Sequence, residues 1–166
     1  GSRNTVADAY STVVIGDNRN LTKASDSVIL GSADQAMTTS VSNATAIGHN
    51  ANVTVANGVA LGSGSVASVD AGVAGYDVET EKASTNTTAT WKSTLAAVSV
   101  GVPTDGGAAT ATRQIKGVAA GMQDTDAVNV AQLKKVAEAA NEAGNTTLKF
   151  TGDDTTAEIS RTNNQV

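Results

Sequence analysis

Cysteine is absent from this chain of 166 residues, and histidine and proline each occur once. Without cysteine the fold has neither a disulfide framework nor a thiolate metal site. The single histidine, His49, leaves too few ligands for a typical zinc site and too few bases for a catalytic triad. We therefore predict no catalytic, metal-binding or cofactor-binding residues, and the sequence does not identify ligand-binding residues.

Large apolar side chains are also scarce. Only four residues are aromatic, and Leu, Ile, Val and Phe together occupy 32 positions, whereas alanine alone occupies 29. Such a composition usually indicates disorder, but disorder also needs a strong charge imbalance, and the net charge is only −5. The sequence therefore favours a repetitive fold that buries small side chains, and it argues against an enzyme domain with one conventional core.

The charge and hydropathy patterns limit the partners. The isoelectric point is about 4.7 and no block of Lys or Arg is present, which argues against nucleic acid as a partner. No run of about 20 apolar residues exists, so no segment is predicted to cross a membrane as a helix. Because Gly1-Ser2 resembles a cloning remnant, we expect residues 1–4 to be a lead-in and the chain to be an excised piece.

A repeat emerges when the chain is aligned on a glycine that follows two apolar residues. The spacings are 15, 17 and 14 residues between Gly16, Gly31, Gly48 and Gly62. A looser copy ends at Gly101, after an interruption of 39 residues. Upstream of the glycines we predict a second, shorter strand, marked by small apolar residues at Ala7, Ala24, Val41 and Val55.

A period of this length accommodates two short strands and two turns, which cannot bury a core alone. Stacking successive units pairs each strand with its equivalent in the next unit and gives parallel sheets around a shared interior. The repeated glycine lets the backbone turn a sharp corner without a Cβ clash. An exposed sheet on such a thin coil favours association, so we predict an oligomer.

Residues 66–97 interrupt the repeat. The polar stretch 79–90 is interpreted as an extruded loop, with Tyr76 and Trp91 anchoring its base. Extruded loops often carry recognition, so this loop is a candidate contact region. Two shorter segments, 17–23 and 34–40, are also interpreted as surface loops and candidate contact regions.

A different pattern begins at Arg113. Asp124 or Thr125 is predicted to cap a helix. Beyond it the spacing of a coiled coil is followed by Val130, Leu133, Ala137 and Ala140, or in an alternative phase by Leu133, Val136 and Ala140. About two heptads are too short to associate in isolation, so another part of the molecule must hold the partner helices together. Gly144-Asn145 is predicted to end the helix, and residues 147–151 to start a β segment that stays unfinished.

These pieces, in this order, resemble the trimeric autotransporter adhesins of Gram-negative bacteria. The units ending at Gly48 and Gly62 resemble the YadA-like head repeat, and residues 75–101 resemble the family's head insertion. Arg113-Gln114-Ile115, followed by residues 118–121 and 124–133, is similar to the family's neck.

The resemblance implies a mainly β fold in which three chains wind left-handed parallel β-rolls side by side, followed by a neck and a short three-stranded coiled coil. It assigns the head to residues 5–101 with an inserted loop at 66–97, and the neck to residues 102–132 with a small extra loop. The coiled-coil stalk would start at 133–144, and 145–166 would be the truncated start of a further β-rich stalk segment.

The resemblance also implies a function. The chain would be a non-catalytic, homotrimeric adhesin head on the surface of a Gram-negative bacterium, bound to a host receptor, a matrix protein, a glycoprotein or other microbes. Contact with the outer membrane would be made only through a C-terminal anchor that this chain lacks.

Two alternative functions compete with adhesion. Trimeric left-handed β-helix acyltransferases also stack short strands, but they use a strict six-residue period and a catalytic histidine between subunits, for which His49 is the only candidate. An ice-binding solenoid would need ranks of threonine at identical offsets, and the 23 threonines here do not repeat in that way. The unit length of 14 to 17 residues argues against the enzyme.

Overall fold

The computed structural model describes residues 1–104 and 109–144, together with the backbone of the strands at 147–151 and 156–160. The chain forms two compact units, Gly1–Gln114 and Ile115–Val166. In chain order, the first unit contains β1 (Thr5–Ala7), β2 (Val13–Ile15), β3 (Arg19–Thr22), β4 (Val28–Leu30), β5 (Met37–Thr39), β6 (Thr45–Ile47), β7 (Asn52–Val53), β8 (Val59–Leu61), β9 (Val66–Ala67), β10 (Tyr76–Asp77), β11 (Lys82–Ala83) and β12 (Val98–Ser99). The second unit contains α1 (Val130–Gly144), β13 (Thr147–Thr151) and β14 (Thr156–Ser160).

The main sheet of the first unit consists of five parallel strands in the order β12-β8-β6-β4-β2. Its register places Ile15 beside Leu30, Leu30 beside Ile47 and Ile47 beside Leu61. Each of these residues immediately precedes a repeat glycine, so the predicted repeat of stacked turns is confirmed. The looser copy before Gly101 joins the same sheet, because Val98 pairs with Val59.

The opposite side of the coil carries a three-stranded parallel sheet, β1-β3-β5, and the parallel pair β7-β9. The predicted second strand is present at Ala7, which ends β1, but Ala24, Val41 and Val55 each lie two residues beyond the end of a strand. The buried positions of these strands include Leu21, Thr39, Val53 and Ala67, and Ala24 is buried just beyond β3. The segments 17–23 and 34–40 are therefore not surface loops, since they contain β3 and β5.

The core between the two sheets is built largely from alanine. Its buried apolar members are Leu21, Ala24, Ile29, Ala44, Ala46, Ala51, Val53, Ala60 and Ala67. Apart from Leu21, Ile29 and Val53, every member is alanine, so the core has little apolar volume. The expectation that this fold buries small residues is confirmed, whereas its predicted left-handedness stays a prediction.

The corners of the coil repeat as strictly as the strands. Gly16, Gly31 and Gly48 have φ values of 141°, 132° and 136° and lie in a column. A Cβ added at Gly48 would lie 2.6 Å from the carbonyl carbon of Gly62 in the next turn. A second corner uses the left-handed conformation at Ser11, Asp26, Asn43 and Asn57, with φ between 54° and 62°.

The insertion between β9 and β12 is a small antiparallel element. Asp77 pairs with Lys82, and Ala74 bridges to Lys92 on the other side, so the segment around residue 75 is the central strand. The N–H of Ala97 donates to the carbonyl of Val69 over 3.0 Å and closes the base of the insertion. The insertion thus leaves the coil after Ala67 and returns at β12 without disturbing the main sheet.

The segment that follows β12 turns back on itself, because Val102 and Ala111 form an antiparallel bridge. An extra loop was predicted here, and residues 105–108 of that loop lie outside the described residues. In the second unit α1 ends at Gly144, as predicted, and Asn145 lies outside the described residues. The segment 147–151 is a strand, but it does not stand alone: it pairs with β14 in an antiparallel hairpin. Residues 161–166 lie outside the described part of the chain.

We predict that Gly48→Ala lowers the stability of the coil by about 3 kcal/mol, because it adds a contact with the next turn to an unfavourable φ. Gly64→Ala is the matched control, since Gly64 also has a positive φ (69°) but a Cβ there meets no atom within 4 Å. Gly64→Ala is expected to lower the stability of the coil by only about 1 to 2 kcal/mol. Thermal unfolding, followed by the circular dichroism signal of the β-structure, measures the stability of both variants. Equal losses of stability would contradict the close packing of the glycine column.

Candidate oligomer interface and its supporting corners

The outer face of the main sheet is the candidate functional surface. Alternate residues of a strand point to opposite sides, and the inward column is Val14, Ile29, Ala46 and Ala60. The outward side chains are almost entirely branched and apolar: Val13, Ile15, Val28, Leu30, Thr45, Ile47, Val59, Leu61 and Val98.

The usual distribution of apolar side chains is reversed in this sheet. In the third and fourth turns the interior holds Ala46 and Ala60, which are fully buried, while Ile47 and Leu61 face outward. Ile15 is 64% exposed and Val98 is 66% exposed. Parallel sheets are almost always covered on both faces, and a contiguous apolar patch of this kind marks an interaction site.

A buried arginine holds the glycine corners together. Arg19 is only 1% exposed and extends into the corner from the second sheet. Its Nε donates to the carbonyl of Gly31 over 2.6 Å, and its Nη1 and Nη2 donate to the carbonyls of Ala51 (2.7 Å) and Gly48 (3.2 Å). Burial lowers the pKa of Arg19, but guanidinium stays protonated in proteins. One side chain therefore satisfies carbonyl groups in two successive turns.

Other side chains donate to backbone carbonyl groups in the turns before and after those that Arg19 contacts. In the first turn the Nδ2 of Asn4 donates to the carbonyl of Gly16 over 2.7 Å. At the far end Arg113 lies against Gly62, and its Nη1 donates to the hydroxyl of Ser65 over 2.9 Å and to the carbonyl of Val100. Sequence reasoning missed these roles, although Asn4 and Arg19 lie 15 residues apart at equivalent positions of the first two turns.

His49 lies at an exposed corner of the coil. Its Nε2 is 3.1 Å from Oδ1 of Asp34 in the preceding turn, and both side chains are at least half exposed. The hydrogen bond from Asn50, and then the proximity of His49, lower the pKa of Asp34. An exposed pair of this kind contributes little to stability. Within the described residues no three His, Asp or Glu side chains lie close enough together to hold a metal ion.

Of the two aromatic residues predicted to anchor the base of the insertion, only Trp91 contacts that base with its ring. The N–H of Gly75 donates to the carbonyl of Trp91 over 2.6 Å, and the indole ring lies across the face of Gly75, where a side chain is absent. Tyr76 pairs with Ala83 on the other edge and is 64% exposed. The stretch 79–90 contains β11 and is otherwise turns and extended backbone, almost all of it exposed.

The helix of the second unit begins at Val130, so the predicted cap at Asp124 or Thr125 is wrong. Asn129 is the cap, because its Oδ1 accepts the N–H of Gln132 over 3.1 Å. Asp126 instead accepts the N–H groups of Met122 and Gln123, which lower the pKa of its carboxyl group. The side chain of Gln132 joins this loop to the helix, because its Oε1 accepts the N–H of Gly121 and its Nε2 donates to the carbonyl of Gly121.

No residue of α1 is buried. Val130, Leu133 and Val136 are each between 62% and 67% exposed, although all three are apolar. A helix of 15 residues that buries no side chain is marginal in water. Its apolar side chains are not covered by the described part of its own chain. None of the helices in the described ranges has the length and hydropathy to span a membrane.

Comparison with known proteins points to one family. A family model described as the coiled stalk of trimeric autotransporter adhesin matches residues 114–156, the part of the chain that includes α1. Over 98 residues the chain is also 51% identical to the autotransporter adhesin BadA of Bartonella henselae. Both matches support a YadA-like trimeric autotransporter adhesin.

The match to BadA covers 59% of this chain but only 3% of BadA. The chain therefore corresponds to a small part of the length of that relative. Neither match favours the acyltransferase alternative, and the geometry of His49, which contacts a carboxylate of its own chain at an exposed corner, does not support it either.

We predict that Arg19→Met destabilises the coil by about 3 kcal/mol, because several buried carbonyl groups lose their only charged donor while the volume of the side chain is largely kept. Lys82→Ala, in the exposed strand β11, is the control and is expected to change stability by less than about 0.5 kcal/mol. Thermal unfolding of the two variants gives the melting midpoints to be compared. A melting midpoint unchanged by Arg19→Met would show that the corner does not need this donor.

Proposed function

We propose that this chain forms the head, neck and first stalk turns of a homotrimeric, non-catalytic adhesin that attaches a Gram-negative bacterium to host surfaces. The head would comprise residues 5–101, the neck 102–132 and the coiled stalk 133–144, with a β-rich continuation at 145–166. The full-length protein would be anchored in the outer membrane. Host receptors, matrix proteins or glycoproteins, or the surfaces of other microbes, are the proposed partners.

The reversed apolar distribution of the main sheet is the observation that supports a trimer. If three copies bring these faces together, Ile15, Ile47 and Leu61 become buried and each coil gains the core that its alanine interior cannot provide. The same association would bring three copies of α1 side by side. The exposed side chains of Val130, Leu133 and Val136 would then pack in a coiled coil.

A trimer would also explain how weak contacts give useful attachment. Three identical heads present three copies of every surface feature, so the binding of one copy raises the effective concentration of the others. The insertion is the most prominent feature of this kind in the described part of the head, because residues 79–90 are almost entirely exposed and outside the repeat. We therefore place the candidate ligand contact on the insertion.

We predict that Leu61→Asp converts the trimer into monomers, because three carboxylates would have to be buried at the centre of the assembly. Thr38→Asp is the matched control: Thr38 is an exposed, outward position of β5 on the other side of the same coil. Light scattering of both purified variants gives the mass. The proposal fails if Leu61→Asp and Thr38→Asp have the same mass.

We predict that deletion of residues 79–90 leaves the trimer intact, since the insertion returns to the coil through its own hydrogen-bonded base. Binding of the intact and shortened proteins to immobilised matrix proteins, receptor ectodomains and mucosal glycoproteins then tests the contact region. The deletion is expected to abolish binding to whichever surface the intact protein recognises. Undiminished binding would move the contact to the coil itself.

A hydrolytic or transfer activity would contradict the non-catalytic assignment. Acetyl-CoA turnover by the intact protein is expected to be absent. Turnover that disappears in the His49→Ala variant would instead support the acyltransferase alternative.

A further inference from the structure

One face of the insertion carries an indole ring whose position is fixed by the backbone beneath it. Trp91 lies beside Gly75 of the neighbouring strand, and a Cβ placed on Gly75 would be 3.9 Å from Cε3 of the indole. Because Gly75 has no side chain, the ring rests against the backbone there. Trp91 nevertheless stays 38% exposed. The ring is therefore held by the chain on one side and accessible from solvent.

Two opposite charges lie on the same face as this ring. Alternate residues of a strand share a face, so Asp77 lies about 7 Å along the strand from Gly75 and on the side of the indole. Lys82 pairs with Asp77 across the hairpin, and residues paired in this way point to the same side. Oδ1 of Asp77 accepts the N–H of Glu79 over 2.9 Å, which orients the carboxylate. In the described part of the chain neither Asp77 nor Lys82 forms an ion pair.

These charges limit the chemistry of a ligand that stacks on the ring. A quaternary ammonium ion suits an indole, but the ammonium group of Lys82 would repel it. An anionic sugar would bond to Lys82, but the carboxylate of Asp77 would repel it. A neutral sugar meets neither objection, because its hydroxyl groups donate to a carboxylate and accept from an ammonium group.

The shape of a sugar ring also suits this face. A pyranose presents C–H groups on one side of its ring, and these groups are attracted to the negatively charged face of an aromatic ring. Its hydroxyl groups project from the edge of the ring, in the directions where Asp77 and Lys82 flank the indole. Stacking and hydrogen bonding can therefore occur together.

We infer that the Trp91 face of the insertion, formed by Trp91, Asp77 and Lys82, binds a neutral sugar residue of a glycoprotein. The sugar stacks on the indole while its hydroxyl groups donate to Asp77 and accept from Lys82. One such site is small and binds weakly, but a trimer carries three, so several sugars on one surface are bound together. This inference rests on the proposed adhesin function and adds the chemical class of the ligand.

Fluorescence reports on this site directly, because Trp91 is the only tryptophan of the chain. The unmodified protein is titrated with lactose, N-acetyllactosamine and cellobiose while its emission and its quenching by acrylamide are recorded. At least one of these neutral sugars is expected to shift the emission saturably and to protect the indole from acrylamide. Choline and sialyllactose supply the cationic and anionic comparisons and are expected to protect it less. The inference is wrong if no neutral sugar protects the indole, or if a charged probe protects it equally well.

Variants of the full chain test the face on a surface coated with mucin. Trp91→Ala is expected to weaken attachment about tenfold, because the stacking contact is lost. Asp77→Asn is also expected to weaken it, since asparagine keeps an acceptor for the N–H of Glu79 but loses the charge. Tyr76→Ala is the matched control: Tyr76 is 64% exposed on the opposite face of the same strand, so attachment is expected to be unchanged. Equal losses for Trp91→Ala and Tyr76→Ala would overturn the inference.

Periodate oxidation of the mucin coat separates the sugar site from the proposed function. Periodate cleaves the vicinal diols of sugars, so the intact protein is expected to lose its attachment. If it attaches equally well to the oxidised coat, the protein is still an adhesin, but the inference about sugar is wrong. If light scattering shows folded monomers that attach to no surface, the proposed function fails, and the fluorescence titration still decides whether the Trp91 face binds sugar.

Discussion

The narrowness of the coil is the constraint on which the rest of the structure depends. Glycine corners bring successive turns so close that a single Cβ at Gly48 would collide with the next turn. In the central turns the interior between the two sheets holds Ala46 and Ala60, and the larger side chains of Ile47 and Leu61 lie outside. A fold that leaves such large apolar groups outside its own core must cover them with something else. Association is thus a consequence of an interior filled largely by alanine.

The corners in turn depend on a small number of polar side chains. Tight turns bring backbone carbonyl groups into a column where neighbouring strands cannot satisfy them. Asn4, Arg19 and Arg113 supply donors along this column, from the first turn to the last. A buried guanidinium is costly when unpaired, but here its N–H groups bond to backbone oxygen atoms. Arg19, inside the coil, and Arg113, at its exposed end, thus link successive turns.

The sequence predicted the main sheet well because its signal is steric: only glycine fits the corner, and two apolar residues must precede it. It misplaced the second sheet because polar residues such as Arg19 and Asn20 occupy strand β3 and resemble a loop. The predicted cap at Asp124 or Thr125 was wrong because the chain first forms a turn closed by Asp126, and only Asn129 caps the helix. No local pattern shows which face of the sheet meets a partner, since that depends on the register of distant turns.

Sedimentation equilibrium of the unmodified protein at low micromolar concentration, with circular dichroism on the same sample, tests the central claim most directly. The narrow coil predicts a folded β protein whose mass is three times 16.5 kDa. A well-folded species of 16.5 kDa that persists on dilution would show that one chain tolerates its exposed apolar face, and it would contradict this account.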